Sequence, residues 1–338
     1  MEHGAFRAWL AEVDDLTPDQ RLDLEEVLAG RTPRAAVTAA IEGSLGDERR
    51  CPHCGDGASV GCGAANGVRR FRCKKCGKSF NALTGTPLAG LRKKERWLEF
   101  GRSLSEGDTV VASAERCGVA VSTAFRWRHR FLTAKPADPT LTGIVEADEA
   151  FVLLSYKGSR VWQRAEKGRP LADPPDRKAR KRGGKAMKRG LSHEQVPILV
   201  AADRSGNSVT AVLPSVCADA IKAVLEPVLG KDALLVTDGC TSYPPCAAAL
   251  GVSHEALNLS AGERVRGELH IQTVNSLHER IKTFLRRRRG IATKYLDNYL
   301  RWFHLTGIGR SPTPSACLNA AIGPDQSGHA YSTLIEPS

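Results

Sequence analysis

Apolar positions along the chain follow distinct periods. Residues 270–282, HIQTVNSLHERIK, place Ile271, Val274, Leu277 and Ile281 three, three and four apart, the spacing of one helical stripe facing a core. Asn275, His278, Glu279 and Lys282 then fall at i, i+3, i+4 and i+7, so a second stripe groups an amide, an imidazole, a carboxylate and an ammonium. Upstream, GIVEADEAFVLL (143–154) reads as a strand, VPILVAADRSG and NSVTAVLPS as a hairpin around residues 203–207, ADAIKAVLEPVLG as a helix and DALLVTDG (232–239) as a further strand. The segment GDTVVASAERCGVAVSTAFRWRHRFL (107–132) sets Val110, Val111 and Ala114 on one helix. A turn at Cys117-Gly118-Val119 and a second helix from Ser122 follow, a helix-turn-helix pattern. Residues 5–44 read as two or three short helices, one opening at Thr17-Pro18, and a polar tail rich in Pro, Ser and Gly begins near residue 310. No internal repeat is visible.

With 41% hydrophobic content in 338 residues, the chain can bury cores for two or three domains. No run of eighteen apolar residues occurs, and the first residues, MEHGAFRAWLAEVDD, lack a basic stretch followed by an apolar one. Membrane insertion and secretion are therefore not indicated, and a cytoplasmic location is expected.

Charge changes this picture through its distribution. The formal net charge is +12, yet residues 1–50 hold eleven Asp and Glu against six Arg, a net of minus five. Residues 157–190 hold thirteen Lys and Arg against three acids, a net of plus ten, interleaved with Gly and Pro, so they read as a basic loop. Further basic clusters lie at RRFRCKKCGKS, LRKKER and FLRRRRG. Clustering of this kind predicts a polyanionic partner, since solubility alone does not require it.

Ten cysteines suit metal binding in a reducing cell better than a disulfide framework. CPHC (51–54) and CKKC (73–76) form two knuckles with eighteen residues between them, a spacing that lets Cys51, Cys54, Cys73 and Cys76 meet around one tetrahedral zinc. His53 reads as a bystander inside its knuckle and Cys62 as a rival ligand in the loop. A closed four-thiolate set predicts a structural zinc ribbon.

The second helix of the helix-turn-helix carries Arg126, Arg128 and Arg130 with Trp127 and Phe131 available for packing, the content of a recognition helix. Asp148 lies within the first strand of the later segment and Asp238 at the end of another, where ligand sites of open α/β sheets gather. Two aspartates on neighbouring strands can share divalent metals through hard oxygen ligands, although a TDG at a strand end also suits a turn cap.

VEADEAF, VTDG, HIQTVNSLHERIK and RRRRGIATKYLDNYLRWF occur in that order. With CxxC…CxxC ahead of them, the chain resembles bacterial insertion-sequence transposases that join an N-terminal zinc ribbon to a ribonuclease-H-like catalytic core. The resemblance covers roughly residues 48–305. It implies an α/β fold, a mixed sheet flanked by helices. The domains would be a helical segment of unread role (1–47), a zinc ribbon (48–82), a helix-turn-helix (88–135), a catalytic domain (140–308) with the basic insertion 157–190, and the tail (309–338).

Most relatives of such a core complete an Asp-Asp-Glu set, while this group includes members with Asn followed seven residues later by Lys. The resemblance implies that Asp148, Asp238 and Asn275 hold two Mg²⁺ or Mn²⁺ ions, with Lys282 as the associated basic residue and His278 orienting a ligand or touching DNA. Glu279, one turn beyond Asn275, remains an alternative third carboxylate. The implied activity is cleavage at terminal inverted repeats and transfer of the freed 3′-hydroxyl to target DNA, in a homo-oligomer assembled on double-stranded DNA at the nucleoid. Arg177, Lys178, Arg180, Lys181 and Arg182 in the basic loop would grip the DNA backbone. The rival readings are an inactive DNA-binding regulator and a nuclease of the same fold that does not join strands.

Overall fold

The computed structural model describes residues 3–16, 21, 24, 32–45, 49–133, 138–158, 186, 192, 194–258, 261–288, 290–306 and 312–323. The helix start expected at Thr17-Pro18, almost all of the basic loop with Arg177, Lys178, Arg180, Lys181 and Arg182, and the end of the tail lie outside the described residues. No helix among the described residues is long and apolar enough to cross a membrane. The chain forms two compact units, residues 1–136 with 304–338 and residues 137–303.

The first unit opens with α1 (His3–Glu12) and α2 (Pro33–Gly43). Pro33 begins α2 with its φ already set, and the Thr32 hydroxyl caps the helix by accepting from the Ala35 amide. Strands β1 (Ser59–Ala65), β2 (Val68–Cys73) and β3 (Ser79–Phe80) follow as a small antiparallel sheet. Next come α3 (Trp97–Ser105), α4 (Val110–Cys117) and α5 (Val121–Phe131). Thr109 caps α4, and Gly118 ends it with a φ of 60°, a left-handed conformation that favours glycine and turns the chain into α5. Phe100 meets Trp127 and Phe131 edge-on, at 5.4 and 5.0 Å between ring centres, and these aromatics form the bundle's core.

The second unit is built on a five-stranded sheet. Its strands are β4 (Ile144–Leu153), β5 (Gln195–Asp203), β6 (Ser208–Val212), β7 (Leu234–Thr237) and β8 (Ser253–Ala256), in the order β6-β5-β4-β7-β8. β4, β5 and β6 run antiparallel in turn, whereas β7 and β8 run parallel to β4 and to each other. Parallel pairs need crossovers, and these contain α6 (Ala218–Leu225) and α7 (Tyr243–Leu250). A short hairpin, β9 (Val265–Arg266) with β10 (Leu269–His270), leads into α8 (Gln272–Arg287) and α9 (Leu296–Thr306). This is the mixed sheet with flanking helices that the resemblance implied.

The two faces of β4 face different layers. Val145 and Ala147 join Ile221, Leu225, Tyr243 and Ala247 in one core, and strand alternation sends Glu146 and Asp148 to the other face, where α8 packs. Val274, Leu277 and Ile281 of α8 are buried as the stripe predicted, together with Ile271 just before the helix. Phe284 continues that stripe against Trp302 and Phe303 of α9.

The chain re-enters the first unit with α10 (Pro314–Ile322), capped by Thr313. A polar tail was expected here, but Cys317, Leu318, Ala321 and Ile322 are buried and α10 packs on α3. The approach is close enough that a Cβ at Gly101 would lie 2.5 Å from the Pro314 carbonyl oxygen. Only two large aliphatics in PSACLNAAI mark the buried face, which leaves little periodic signal in the sequence.

Candidate functional site

The four knuckle cysteines converge. Their Sγ atoms lie within 4.8 Å of one another, with Cys51–Cys76 at 3.7 Å and Cys54–Cys73 at 3.6 Å. A tetrahedron with metal–sulfur bonds of about 2.3 Å has sulfur–sulfur edges of about 3.8 Å, so the set fits zinc. Each knuckle closes through a backbone bond, Gly55 N–H to Cys51 O and Gly77 N–H to Cys73 O, with both glycines in left-handed conformations. The glycine after each CxxC is therefore a signal beyond the cysteine spacing. Amide donation from Cys76 is the main influence holding the Cys73 thiol down at about 7. At its partner Cys54 the Asp56 backbone bond is outweighed by burial and the neighbouring thiols, which push that thiol up to about 12, so the two share one proton between them. Cys62 is exposed on β1 and neither it nor His53 belongs to the set.

On α5, the three arginines separate. Arg126 is exposed beside Ser122 and Phe125. Arg128, expected to contact DNA, is only 3% exposed and donates to the Asp108 carbonyl and to Ser113 Oγ. Arg130 is half-buried and donates to the carbonyls of Pro87 and Ala89. Arg128 and Arg130 therefore tie the helix-turn-helix together. Residue type alone hid this, because Arg128 lies one position from Trp127 on the inward side of the helix and its long stem reaches loop carbonyls.

In the second unit, Glu146 of β4 pairs in register with Val236 of β7, and two residues further along each chain stand Asp148 and Asp238. Each aspartate uses Oδ1 locally: Asp148 accepts from the Glu149 amide and Asp238 from the Cys240 amide. The turn-cap reading of Asp238 and its role beside Asp148 are thus compatible. Burial raises the Asp148 carboxyl to about 7, and the Asp238 charge adds to the rise, while the Glu149 amide and the Lys282 ammonium oppose it. A partly buried Asp148 that is costly to ionise beside the Asp238 charge is an environment that a cation would relieve.

His278 reaches this place from α8, its Nδ1 3.9 Å from Asp148 Oδ2. It is 6% exposed, so burial and then Lys282 lower its pKa to about 4, leaving the ring neutral near pH 7. That burial removes the expected contact with DNA. Lys282 is half-buried and pairs with the exposed Glu279 at 3.2 Å. Asn275 is exposed in the first turn of α8. At about 100° per residue, Asn275 lies about 60° around the helix from His278 and Glu279 about 100°, so Asn275 is nearer the side that meets Asp148. Among the described residues, the cysteines are the one group of three or more His, Cys, Asp or Glu ligands close enough to hold a metal.

Two further carboxylates belong to the neighbourhood. Glu149, on the opposite face of β4, accepts from the buried Tyr243 hydroxyl at 2.5 Å, and burial raises its pKa. Glu146 is 1% exposed and accepts from Thr273 and Val274 of α8. VEADE marks both as acids within an apolar strand, a signal that the aspartate alone overshadowed.

Residues 140–304 match the ISXO2-like transposase domain, and residues 91–140 match a homeodomain-like domain. The chain therefore carries an insertion-element transposase domain joined to a DNA-binding helix-turn-helix. It is similar to an uncharacterized protein in transposable element ISH50 of Halobacterium salinarum, 28% identical over 267 residues, which span 75% of this chain and 84% of that protein. Among solved structures, a simian T-cell lymphotropic virus intasome in complex with PP2A regulatory subunit B56 gamma aligns at a TM-score of 0.28 and 9% identity, covering 71% of this chain and 78% of that one. A pre-cleavage Mos1 transpososome aligns at a TM-score of 0.23 and 16% identity, covering 69% and 81%. At these scores neither shows a shared fold.

Proposed function

We propose that the chain is a transposase that binds the terminal inverted repeats of an insertion sequence, cuts there and joins the freed 3′-hydroxyl to target DNA. The observation that carries this reading is the pairing of Asp148 with Asp238 beside Lys282 and His278, within residues that match a transposase domain. Asp148, Asp238 and the Asn275 amide would hold two Mg²⁺ or Mn²⁺ ions in a ribonuclease-H-like core, their hard oxygens suiting such cations. When bound, the ions supply Lewis acidity and lower the pKa of an attacking water or hydroxyl. Lys282 neutralises a phosphate beside the scissile bond, and neutral His278 holds the Asp148 side of α8 in place without adding charge. Arg126 and its exposed neighbours on α5 face the repeat, the zinc ribbon adds recognition, and the basic loop grips backbone without reading sequence. Two chains or more act together on the DNA.

Purified protein, labelled terminal-repeat DNA, an unlabelled target and Mg²⁺ test the proposal. Metal-dependent nicks followed by joined products are expected. Binding without nicks identifies a regulator, and nicks without joined products identify a nuclease.

A further inference from the structure

α8 carries Asn275, His278 and Lys282, and its local capping is limited to the His270 ring, whose Nδ1 accepts from the Gln272 amide at 3.2 Å. Ile271 occupies the N-cap position, offers no side-chain hydrogen bond, and no acid lies in the first turn. By contrast, α2, α4 and α10 each start at a capping threonine. Glu146 of β4 meets one orphan donor of α8, the Val274 N–H, through Oε2 at 3.0 Å, and its Oε1 accepts from the Thr273 hydroxyl at 2.8 Å. Arg204, in the turn between β5 and β6, reaches the same carboxylate at 2.5 Å and also donates to the Glu268 carbonyl, the His270 ring and Thr273. His270 Nδ1 lies 3.3 Å from Glu146 Oε1.

We propose that Glu146, held by Arg204, is a positioning residue that fixes the axial register of α8 on β4 and so aims the helix's side chains at Asp148 and Asp238. The inference rests on the proposed function for what is aimed, but not for the anchoring itself. Strand and helix geometry make the register specific. Two residues of strand span about 6.6 Å and four residues of helix about 6 Å. Val274 therefore sits at Glu146 while His278 sits at Asp148. A slip of one residue would turn the helix by about 100° and move Lys282 and His278 off the carboxylates.

A buried ion pair is a poor device for stability, since apolar residues of the same volume often do as well or better. Its value here is directional. Three donors on one carboxylate, Val274 N–H, the Thr273 hydroxyl and the Arg204 guanidinium, admit one placement of the helix end, whereas the apolar contacts of Val274 and Ile281 would tolerate sliding.

The test compares Glu146→Gln, Arg204→Met and Arg204→Lys with the wild-type chain by amide hydrogen exchange and by cleavage against Mg²⁺ concentration. In Glu146→Gln and Arg204→Met, exchange at Val274 and Asn275 should accelerate on the order of tenfold to a hundredfold, as expected for loss of a charge-assisted bond, while Ile281 stays protected. Per folded molecule, these variants should need about tenfold more Mg²⁺ for half-maximal cleavage, and Arg204→Lys should recover part of the loss. Unchanged exchange at Val274 overturns the anchoring whether or not the chain cleaves DNA. Faster exchange with an unchanged Mg²⁺ requirement overturns the aiming role and leaves a cap that serves stability alone. A wild-type chain that does not cleave contradicts the proposed function, and the exchange data then still decide the anchoring.

Discussion

The zinc ribbon and the carboxylate site both gather groups suited to metals, but they stand on different supports. In the ribbon, the buried cluster is two thiols, Cys51 and Cys73, with Phe71, Phe80 and Leu45, while Cys54 and Cys76 stand exposed. Asp148 lies on the central strand of a five-stranded sheet and Asp238 just past the end of the strand beside it, over a core that extends through Val145, Leu199, Ile221, Leu235 and Tyr243. A module with so little core needs its metal to fold, whereas the sheet has an apolar core of its own and can hold Asp148 in a place that disfavours its charge. The four-cysteine set fits a metal that serves the fold, whereas under the proposed function a divalent ion at the carboxylates would serve chemistry.

The largest effect should come from breaking the ribbon. Replacing Cys51 and Cys54 with Ser removes half the ligand set, and structural zinc contributes on the order of 10 kcal/mol to folding such modules. Zinc content should fall by about one ion per chain, and the chemical-shift dispersion of residues 51–80 should collapse while the sheet's remains. Unchanged zinc would place the metal elsewhere.

On the carboxylate side the sign reverses. The unfolded chain releases the Asp148 proton near its ordinary value of 3.8, and the folded chain holds it to about 7. The group therefore costs nothing at low pH, and its destabilising contribution accumulates as pH rises through that window and is complete above it. Asp148→Asn should raise the melting temperature of metal-free protein at about pH 8 and leave it nearly unchanged at about pH 4, while cleavage is lost. A variant that melts lower at the higher pH would mean that Asp148 serves the fold, as the cysteines do.

A smaller contrast sharpens the same division within the helix-turn-helix. Arg128→Ala takes the guanidinium from the Asp108 carbonyl and leaves Ser113 Oγ with the Ser103 hydroxyl as donor, and should cost about 2–4 kcal/mol of stability. Arg126→Ala should leave the melting temperature within about 1 °C and weaken repeat binding by about 1–3 kcal/mol. Thermal melts beside binding titrations distinguish them, and equal melts would undo the assignment.

The finest effect concerns the third ligand. Asn275→Ala should lose cleavage, Asn275→Asp should keep some with tighter Mg²⁺ binding, and Glu279→Gln should be tolerated. Cleavage rates across Mg²⁺ concentrations decide, and an inactive Glu279→Gln beside an active Asn275→Ala would transfer the role.

Local periodicity made much of the fold legible. The buried stripe from Ile271 to Ile281, the hairpin at Asp203–Asn207 and the Gly118 turn were readable because short spacings in sequence become faces or turns in space. The cysteine set was readable for the same reason. What escaped was set by contacts between distant segments. Arg128 and Arg130 carry the residue type of DNA contacts, but carbonyls twenty to forty-three residues away claim them. Glu146 could not be distinguished from a surface acid until α8, some 127 residues later, came to rest on it. α10 has too few large side chains to announce its buried face.

Under the proposed function, Asp148 and Asp238 serve chemistry and the N-terminal modules serve recognition. The most direct test of this division is one titration series with labelled terminal-repeat DNA, in which binding and Mg²⁺-dependent strand transfer are read on the same samples of wild type, Asp148→Ala and Asp238→Ala. All three should bind the repeat with affinities within about threefold, a difference under about 1 kcal/mol, and only the wild type should yield joined products. Full strand transfer by either variant would contradict the division.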